Sequence, residues 1–478
     1  MLLKWFSRIG WGAAGVVLTG LYLYYLQAQS MPDLEFWHRE DVANAVVPEL
    51  KQPAQGTLEE YLAHEKIIFA NLDRFIDKTD APLPGWHRYS AVAHAIYRAA
   101  WPDSNRTQQG EPEEKRGAAL LVHGLSDSTH SMRPLANILL EQGYQTLNLR
   151  MPGHGTLPAA LQTATSRQFQ SAFRLGANTL ADNLSPNQHL ILVGYSNGAA
   201  LAVNYTVDAL LEGDDGQVPD LLILISPAMQ VSPVAAYART QRLISELPGM
   251  EKLGWTDVVA EFDPFKYNSF PVYAGEQIFK LTSRLHDNLE RLSPEQWQRF
   301  PRVLAFQSVL DATIPPASIV TELMDRLSGT EAELVLFDIN RNSGMLPLLS
   351  LHEDKVLKKL VSGATQDFHL TVVGTASPDS DRVSLRTRRQ GITEWEQQAT
   401  GMRWPAGVFS LSHVALPFDA NDPIYGSNRE DGLIRLGEIW FKGERGALGV
   451  PLDLLARQRF NPFFPVVAQK VREAVDTL

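Results

Sequence analysis

The sequence predicts an α/β protein: a mostly parallel central sheet flanked by helices, with an inserted helical lid and an N-terminal membrane-spanning helix. Two observations carry the core of that expectation. Between residues 117 and 340 the chain alternates short apolar runs, GAALLVHG, YQTLNLRM, HLILVGYS, DLLILISPA, RVLAFQSVL and ELVLFDIN, with stretches of helical periodicity. Short, nearly continuous Val/Ile/Leu runs separated by helices are strands buried on both faces, the mark of a parallel sheet. Ligands of such sheets bind beyond the carboxyl ends of the strands, so chemistry is sought just after each run.

Composition narrows the function classes. The 478 residues are 44% hydrophobic and 20% charged, as in a folded globular protein. Lys+Arg of 43 against Asp+Glu of 54 gives a net charge of −11, which disfavours a nonspecific nucleic-acid binder. With no Cys, the chain has no disulfide, thiol nucleophile, Cys-ligated zinc or iron–sulfur cluster.

In chain order, residues 1–30 hold an uncharged run from Ile9 to Leu26, which as a helix rises about 27 Å, near the thickness of a hydrocarbon core. Lys4 and Arg8 precede it and Asp33, Glu35, Glu40 and Asp41 follow. The charge asymmetry predicts a single-pass anchor with residue 1 in the cytoplasm and the bulk outside, with Tyr22, Tyr24 and Tyr25 at the far interface. The alternative is a signal peptide cut after small residues such as Ala28 and Ser30, giving a secreted protein. Residues 31–115 are expected to form a helical segment packed on the core, with a capping box at Thr57 and Glu60. The core then runs over 116–228 and 301–340. Between these parts, residues 229–300 are expected to form a lid, and 341–405 an insertion of unclear fold that contains the strand-like FHLTVVG. Residues 406–478 carry a base-bearing loop and C-terminal helices. The glycan-acceptor tripeptides at Asn105, Asn183 and Asn204 carry no weight, being frequent by chance.

Gly194-Tyr195-Ser196-Asn197-Gly198 fits GxSxG, directly follows the apolar HLILV and precedes a helical stretch. A strand-to-helix turn that tight needs Gly on either side and lifts the Ser hydroxyl above the sheet, which makes Ser196 the candidate nucleophile. A developing oxyanion needs fixed donors, and the backbone N–H groups of Leu125, after the strand ending in His123-Gly124, and of Asn197 are placed to supply them. The acid should follow a later strand. Asp311 ends RVLAFQSVL ahead of Ala-Thr-Ile-Pro-Pro, and Asp338, inside an apolar run, is the weaker candidate. Of 12 His, only His352, His369 and His413 follow Asp311. His369 sits within a strand-like run and His352 within a helical one, whereas His413 ends a short β-like run at a turn-rich loop, where a base can meet the serine. His123 is read as shaping the loop rather than as the base.

These residues resemble the α/β-hydrolase superfamily, in particular its monoglyceride-lipase and bacterial carboxylesterase branch. The resemblance lies in HGLSDSTHSMRPLANILLEQGYQTLNLRMPGHG, the elbow GYSNG, the Asp311 turn and SLSHVALPF. It implies a triad of Ser196, Asp311 and His413, with Leu125 and Asn197 as oxyanion amides and His154 non-catalytic. It further implies ester hydrolysis through an acyl-enzyme with no metal or organic cofactor. The substrate would be a small-molecule or lipid ester. Thioesterase, amidase and acyltransferase chemistry fit the same triad, and a catalytically inactive, membrane-tethered interaction domain is the reading from another class. Three departures stand out: the long interval between Asp311 and His413, the expected N-terminal membrane helix, and the segment of about 40–110. Trp255, Phe262, Phe265, Tyr267, Phe270, Tyr273 and Phe279 either line an acyl pocket or form the core of the lid.

Overall fold

Each apolar run predicted as a strand is one. In the computed structural model the described residues are 2–39, 56–77, 82–213, 217–230, 237–311, 313–327, 329–342, 355–362, 366–406, 408–427, 436 and 457–478. The strands are β1 (Gln108–Gly110), β2 (Gly117–Val122), β3 (Tyr144–Leu149), β4 (His189–Tyr195), β5 (Leu221–Ile225), the small β6 (Trp255–Asp257) and β7 (Phe270–Pro271), then β8 (Arg302–Ser308) and β9 (Ala332–Phe337). Beyond them come β10 (His369–Thr375), β11 (Arg382–Arg388), β12 (Glu396–Arg403), β13 (Ser410–Leu411) and β14 (Arg457–Gln458).

Ten strands make one sheet in the order β1-β3-β2-β4-β5-β8-β9-β10-β11-β12. From β3 through β10 every pairing is parallel, while β1 at one edge and β11 and β12 at the other run antiparallel to their neighbours. Side-chain alternation splits the parallel strands β2–β5 and β8–β10 between two cores. On β2, Ala118, Leu120 and Val122 face the core that holds helices Ser166–Ala181, Asn197–Glu212 and Val272–Leu289. Ala119 and Leu121 face the other, with helices Arg133–Glu141 and Phe464–Asp476. Burial on both faces is why these strands read as continuous rather than alternating apolar runs.

The stretch 341–405, whose fold the sequence left open, extends the sheet. Its FHLTVVG becomes β10, parallel to β9, and β11 and β12 complete an antiparallel meander. The chain therefore passes through three added strands before it returns toward the site at β13, and the long interval from Asp311 to His413 is the length of that excursion.

Thr57 and Glu60 form the expected reciprocal cap, 2.9 and 3.1 Å, at the start of helix Leu58–Asp77. That helix is fastened to the core through Tyr61, whose hydroxyl donates to the Arg150 carbonyl at 2.7 Å, and through the buried Glu65–Arg150 ion pair at 2.8 Å.

The expected membrane span is not found. Leu2–Ser30 is a helix, but among the described residues no helix is long and apolar enough to cross a membrane. The far end of Leu2–Ser30, moreover, is committed to protein: Ala28 is fully buried against Met250 and Leu253, and Gln29 Nε2 donates to the Gly249 carbonyl at 3.3 Å. The orientation drawn from the flanking charges depended on that span. The alternative, a protein secreted after cleavage near Ala28 and Ser30, does not need such a span.

The segment expected to be a lid is only partly separate from the core. Leu281, Leu285 and Leu289 of helix Val272–Leu289 belong to the main core, and Lys266 and Tyr267 are bolted to the loop after β2.

Candidate active site

Ser196 sits at φ 55°, ψ −111°, between β4 and the helix Asn197–Glu212. Such a left-handed conformation costs a non-glycine residue roughly 1–3 kcal/mol and persists only where its surroundings impose it. The flanking glycines show what imposes it. A Cβ on Gly194 would lie 2.3 Å from the Ala199 backbone, and one on Gly198 would lie 2.0 Å from the Val122 carbonyl oxygen. Strand, turn and helix are thus in backbone contact at the bend. The Ser196 N–H donates to Ile225 O at 2.9 Å, which ties the bend to β5, and Ser196 is 8% exposed, in a recess.

His413 opens a short turn after β13, and its Nδ1 lies 2.8 Å from Asp311 Oδ2 across 102 residues of sequence. Both are buried. The other acceptor sites of Asp311 are also used: Oδ1 takes the N–H groups of Thr313 and Ile314 at 2.8 and 2.9 Å, and Oδ2 takes Gln307 Nε2 at 3.1 Å. Burial pushes this carboxyl up, but His413 and the two N–H groups outweigh it and hold the pKa below the ordinary carboxylate value. An ionised Asp311 accepts only, so the His413 Nδ1 carries a proton, and in the neutral ring the lone pair is therefore on Nε2. The imidazole lies against the elbow, its ring 5.1 Å from that of Tyr195, the residue before Ser196, and the Tyr195 hydroxyl donates to the His413 carbonyl at 3.4 Å.

Two other histidines shape the loop after β2. The Met151 N–H donates to His123 Nε2 at 3.1 Å, so the ring proton is on Nδ1, which donates to the Gly124 carbonyl at 2.8 Å. Carbonyl and N–H point oppositely across a trans peptide, so fixing the Gly124 oxygen also fixes the direction of the Leu125 N–H. Burial first, then the neighbouring His154, pushes the His123 pKa well below its ordinary value, which keeps that tautomer neutral. His154 faces the carbonyls of Pro152 at 2.8 Å and Leu125 at 2.7 Å, and burial lowers its pKa to about 4. The Asn197 N–H opens the helix that starts at the elbow, where backbone donors are left free of the helical ladder.

The structure thus brings Ser196, Asp311 and His413 to one end of the sheet. Asp338 pairs instead with Arg341 at 2.8 Å, and His369 starts β10, registered against Glu333. His352 lies outside the described residues. Among the lid aromatics, Trp255, Phe265 and Tyr267 are core: Trp255 meets the His38 ring edge-on, Phe265 stacks on His130, and the Tyr267 hydroxyl donates to the Gly153 carbonyl at 2.9 Å. Gln307 was not anticipated; its signal was a polar residue inside an apolar strand, four residues before Asp311.

A family profile described as "Serine aminopeptidase, S33" matches residues 113–339. A thermostable monoacylglycerol lipase from Bacillus sp. (strain H-257) is 24% identical over 243 residues, 50% of this chain and 87% of that protein. Among solved structures, a monoacylglycerol lipase from Paleococcus ferrophilus shares 21% identity over 48% of this chain and 88% of its own, with a TM-score of 0.36. A soluble variant of monoglyceride lipase from Saccharomyces cerevisiae shares 15% over 48% and 82%, with a TM-score of 0.38. The chain has an α/β-hydrolase fold and resembles the monoglyceride lipases and esterases.

Proposed function

We propose that the protein is a serine hydrolase that cleaves carboxylic esters through an acyl-enzyme. The observation that carries this reading is the buried Asp311–His413 pair held against the elbow that presents Ser196. His413 Nε2 takes the Ser196 proton as Oγ attacks the ester carbonyl. The Leu125 and Asn197 N–H groups hold the developing oxyanion, a contribution worth roughly 10²–10³ in rate per donor. The proton then passes from His413 to the departing alcohol, and water, activated by the same Nε2, releases the acid. Asp311 keeps the ring in the working tautomer and stabilises the imidazolium. In this reading the half-buried Tyr273 and Phe279 contact substrate beneath a cover formed by part of 229–300, while Phe262 and Phe270 pack against the cores.

The relative from Bacillus is named for monoacylglycerols, which supports a lipid ester as substrate. The description of the matching profile favours a second reading, amide cleavage by the same groups. Parallel assays on p-nitrophenyl butyrate, p-nitrophenyl palmitate, 1-monooleoylglycerol and amino-acid p-nitroanilides separate the two. The proposal predicts turnover of esters that Ser196→Ala abolishes. Turnover confined to the anilides would replace it with the second reading, and ester turnover surviving in Ser196→Ala would refute both.

A further inference from the structure

The loop that carries His413 enters the site from β13 after three strands of excursion, so something must fix its position relative to the rest of the machinery. Upstream it is held by Ser308 Oγ, which donates to the Leu411 carbonyl at 2.8 Å, and by the pairing of β13 with β14. Downstream, nine residues past His413, the buried Asp422 turns back into the loop. Its Oδ1 accepts the N–H groups of Ile424 and Tyr425 at 2.9 and 2.8 Å, and its Oδ2 lies 3.2 Å from His130 Nε2.

His130 is fully buried and sits five residues after Leu125, in the turn that continues the oxyanion loop. Its tautomer follows from its neighbours. Nδ1 faces the donor-only Arg133 Nη1 at 3.2 Å and the Ser104 hydroxyl at 3.2 Å, so Nδ1 accepts and Nε2 carries the proton; Nε2 lies 3.2 Å from Asp422 Oδ2 in a close electrostatic contact that is not an aligned hydrogen bond. Phe265 closes one face of the ring, stacked at 3.9 Å. An imidazole held by burial, by Phe265 and by its Nδ1 partners, with its N–H side 3.2 Å from a buried carboxylate, links the two loops electrostatically where little water screens the contact.

We propose that His130 and Asp422 are positioning residues: their contact joins the His413 loop to the loop of the Leu125 amide and sets base and oxyanion donor at a fixed separation. The proposal rests on the triad reading above, and neither residue touches substrate. Because a displacement of about 1 Å in a reacting group can cost a hundredfold, loss of the link should register in the chemical step before it registers in binding.

The test is steady-state hydrolysis of p-nitrophenyl butyrate by the full chain, with folding checked by near-UV circular dichroism. His130→Ala and Asp422→Ala should each lower kcat about 10- to 100-fold while KM moves less than about threefold. The double variant should be no worse than either single one, as for two halves of one contact. His130→Gln should recover most of kcat, since its amide can donate to Asp422 while its oxygen accepts from Arg133. Folded alanine variants with kcat within twofold of wild type, or additive losses in the double variant, overturn the proposal. Should the alanine variants not fold, Asp422→Asn reads the same link: Ile424 and Tyr425 hold its oxygen, its NH₂ meets the His130 N–H, and kcat should fall about tenfold. An unchanged kcat there overturns the proposal. Ser196→Ala is run alongside. Turnover surviving in it removes the triad reading and this proposal together, whereas a dead Ser196→Ala beside a fully active His130→Ala removes the positioning role alone.

Discussion

Replacing Asp311 by Asn exchanges one carboxylate oxygen for an NH₂ group at nearly constant volume, and the surroundings decide which oxygen is lost. Thr313 and Ile314 N–H, at 2.8 and 2.9 Å, both require an acceptor at the Oδ1 position. The amide oxygen of Asn therefore stays there, and its NH₂ takes the Oδ2 position, facing His413 Nδ1 at 2.8 Å and Gln307 Nε2 at 3.1 Å. Two donors cannot share that contact. His413 has to accept at Nδ1 and carry its proton on Nε2, where it cannot take one from Ser196. Losing the charge-assisted bond costs about 1.5–3 kcal/mol, and losing stabilisation of the imidazolium adds to it. Together they give about 5.5 kcal/mol, a fall in kcat of about 10⁴. Asp311→Ala removes the same charge without imposing the wrong tautomer, so it should be no more damaging. The assay is kcat on p-nitrophenyl butyrate for both variants, with near-UV circular dichroism to confirm the fold. A folded Asp311→Asn within tenfold of wild type would refute the reasoning.

Gly198→Ala would place a methyl 2.0 Å from the Val122 carbonyl oxygen, so the end of β2 or the start of the helix must move. A loss of about 3 kcal/mol or more in urea unfolding is expected, and a change under 1 kcal/mol would contradict the backbone-contact account of the elbow. Stability should also fall with acidification below neutrality. Burial holds the pKa values of His38, His87 and His154 at about 4, below their ordinary 6.5, so their contribution is complete above pH 6.5 and is lost as pH falls toward 4. Glu261 has the opposite sign: burial raises its pKa from 4.5 to about 7, so the fold gains from it as pH falls through that range. Each group is worth up to about 3 kcal/mol, and three losses outweigh one gain. Urea midpoints at pH 7.5, 6 and 5 should therefore decline, and a midpoint that holds or rises would refute the balance.

The elbow was legible because its signal is local: glycines two residues either side of Ser196, between an apolar run and a helix, report a backbone contact no other residue tolerates there. Asp311 was legible from its place just after an apolar run, ahead of a proline-containing turn; the strand itself ends at Ser308. His413 could be reached only by elimination, since nothing near it in sequence reports a partner 102 residues away. The strands of the insertion were harder still. RVSLRTR and EQQATGMR, which become β11 and β12, lie at the outer edge of the sheet and carry polar residues where buried strands carry Val and Leu. The N-terminal run was harder to read for a related reason. An apolar run reports that a surface must be covered but not by what, and at Ala28, just past the run expected to span a membrane, the cover is protein. The His130–Asp422 contact was invisible for the reason that hid His413: its halves meet only when the sheet is assembled.

The central claim is that Ser196 Oγ, deprotonated by His413, forms a covalent bond to substrate. Intact-mass and peptide-mapping spectrometry after treatment with a fluorophosphonate tests it most directly. The account predicts a single adduct on the peptide containing Ser196, formed far more slowly in His413→Ala and absent in Ser196→Ala. An adduct of equal extent on Ser196→Ala, or one mapped to another residue of the wild type, would contradict it.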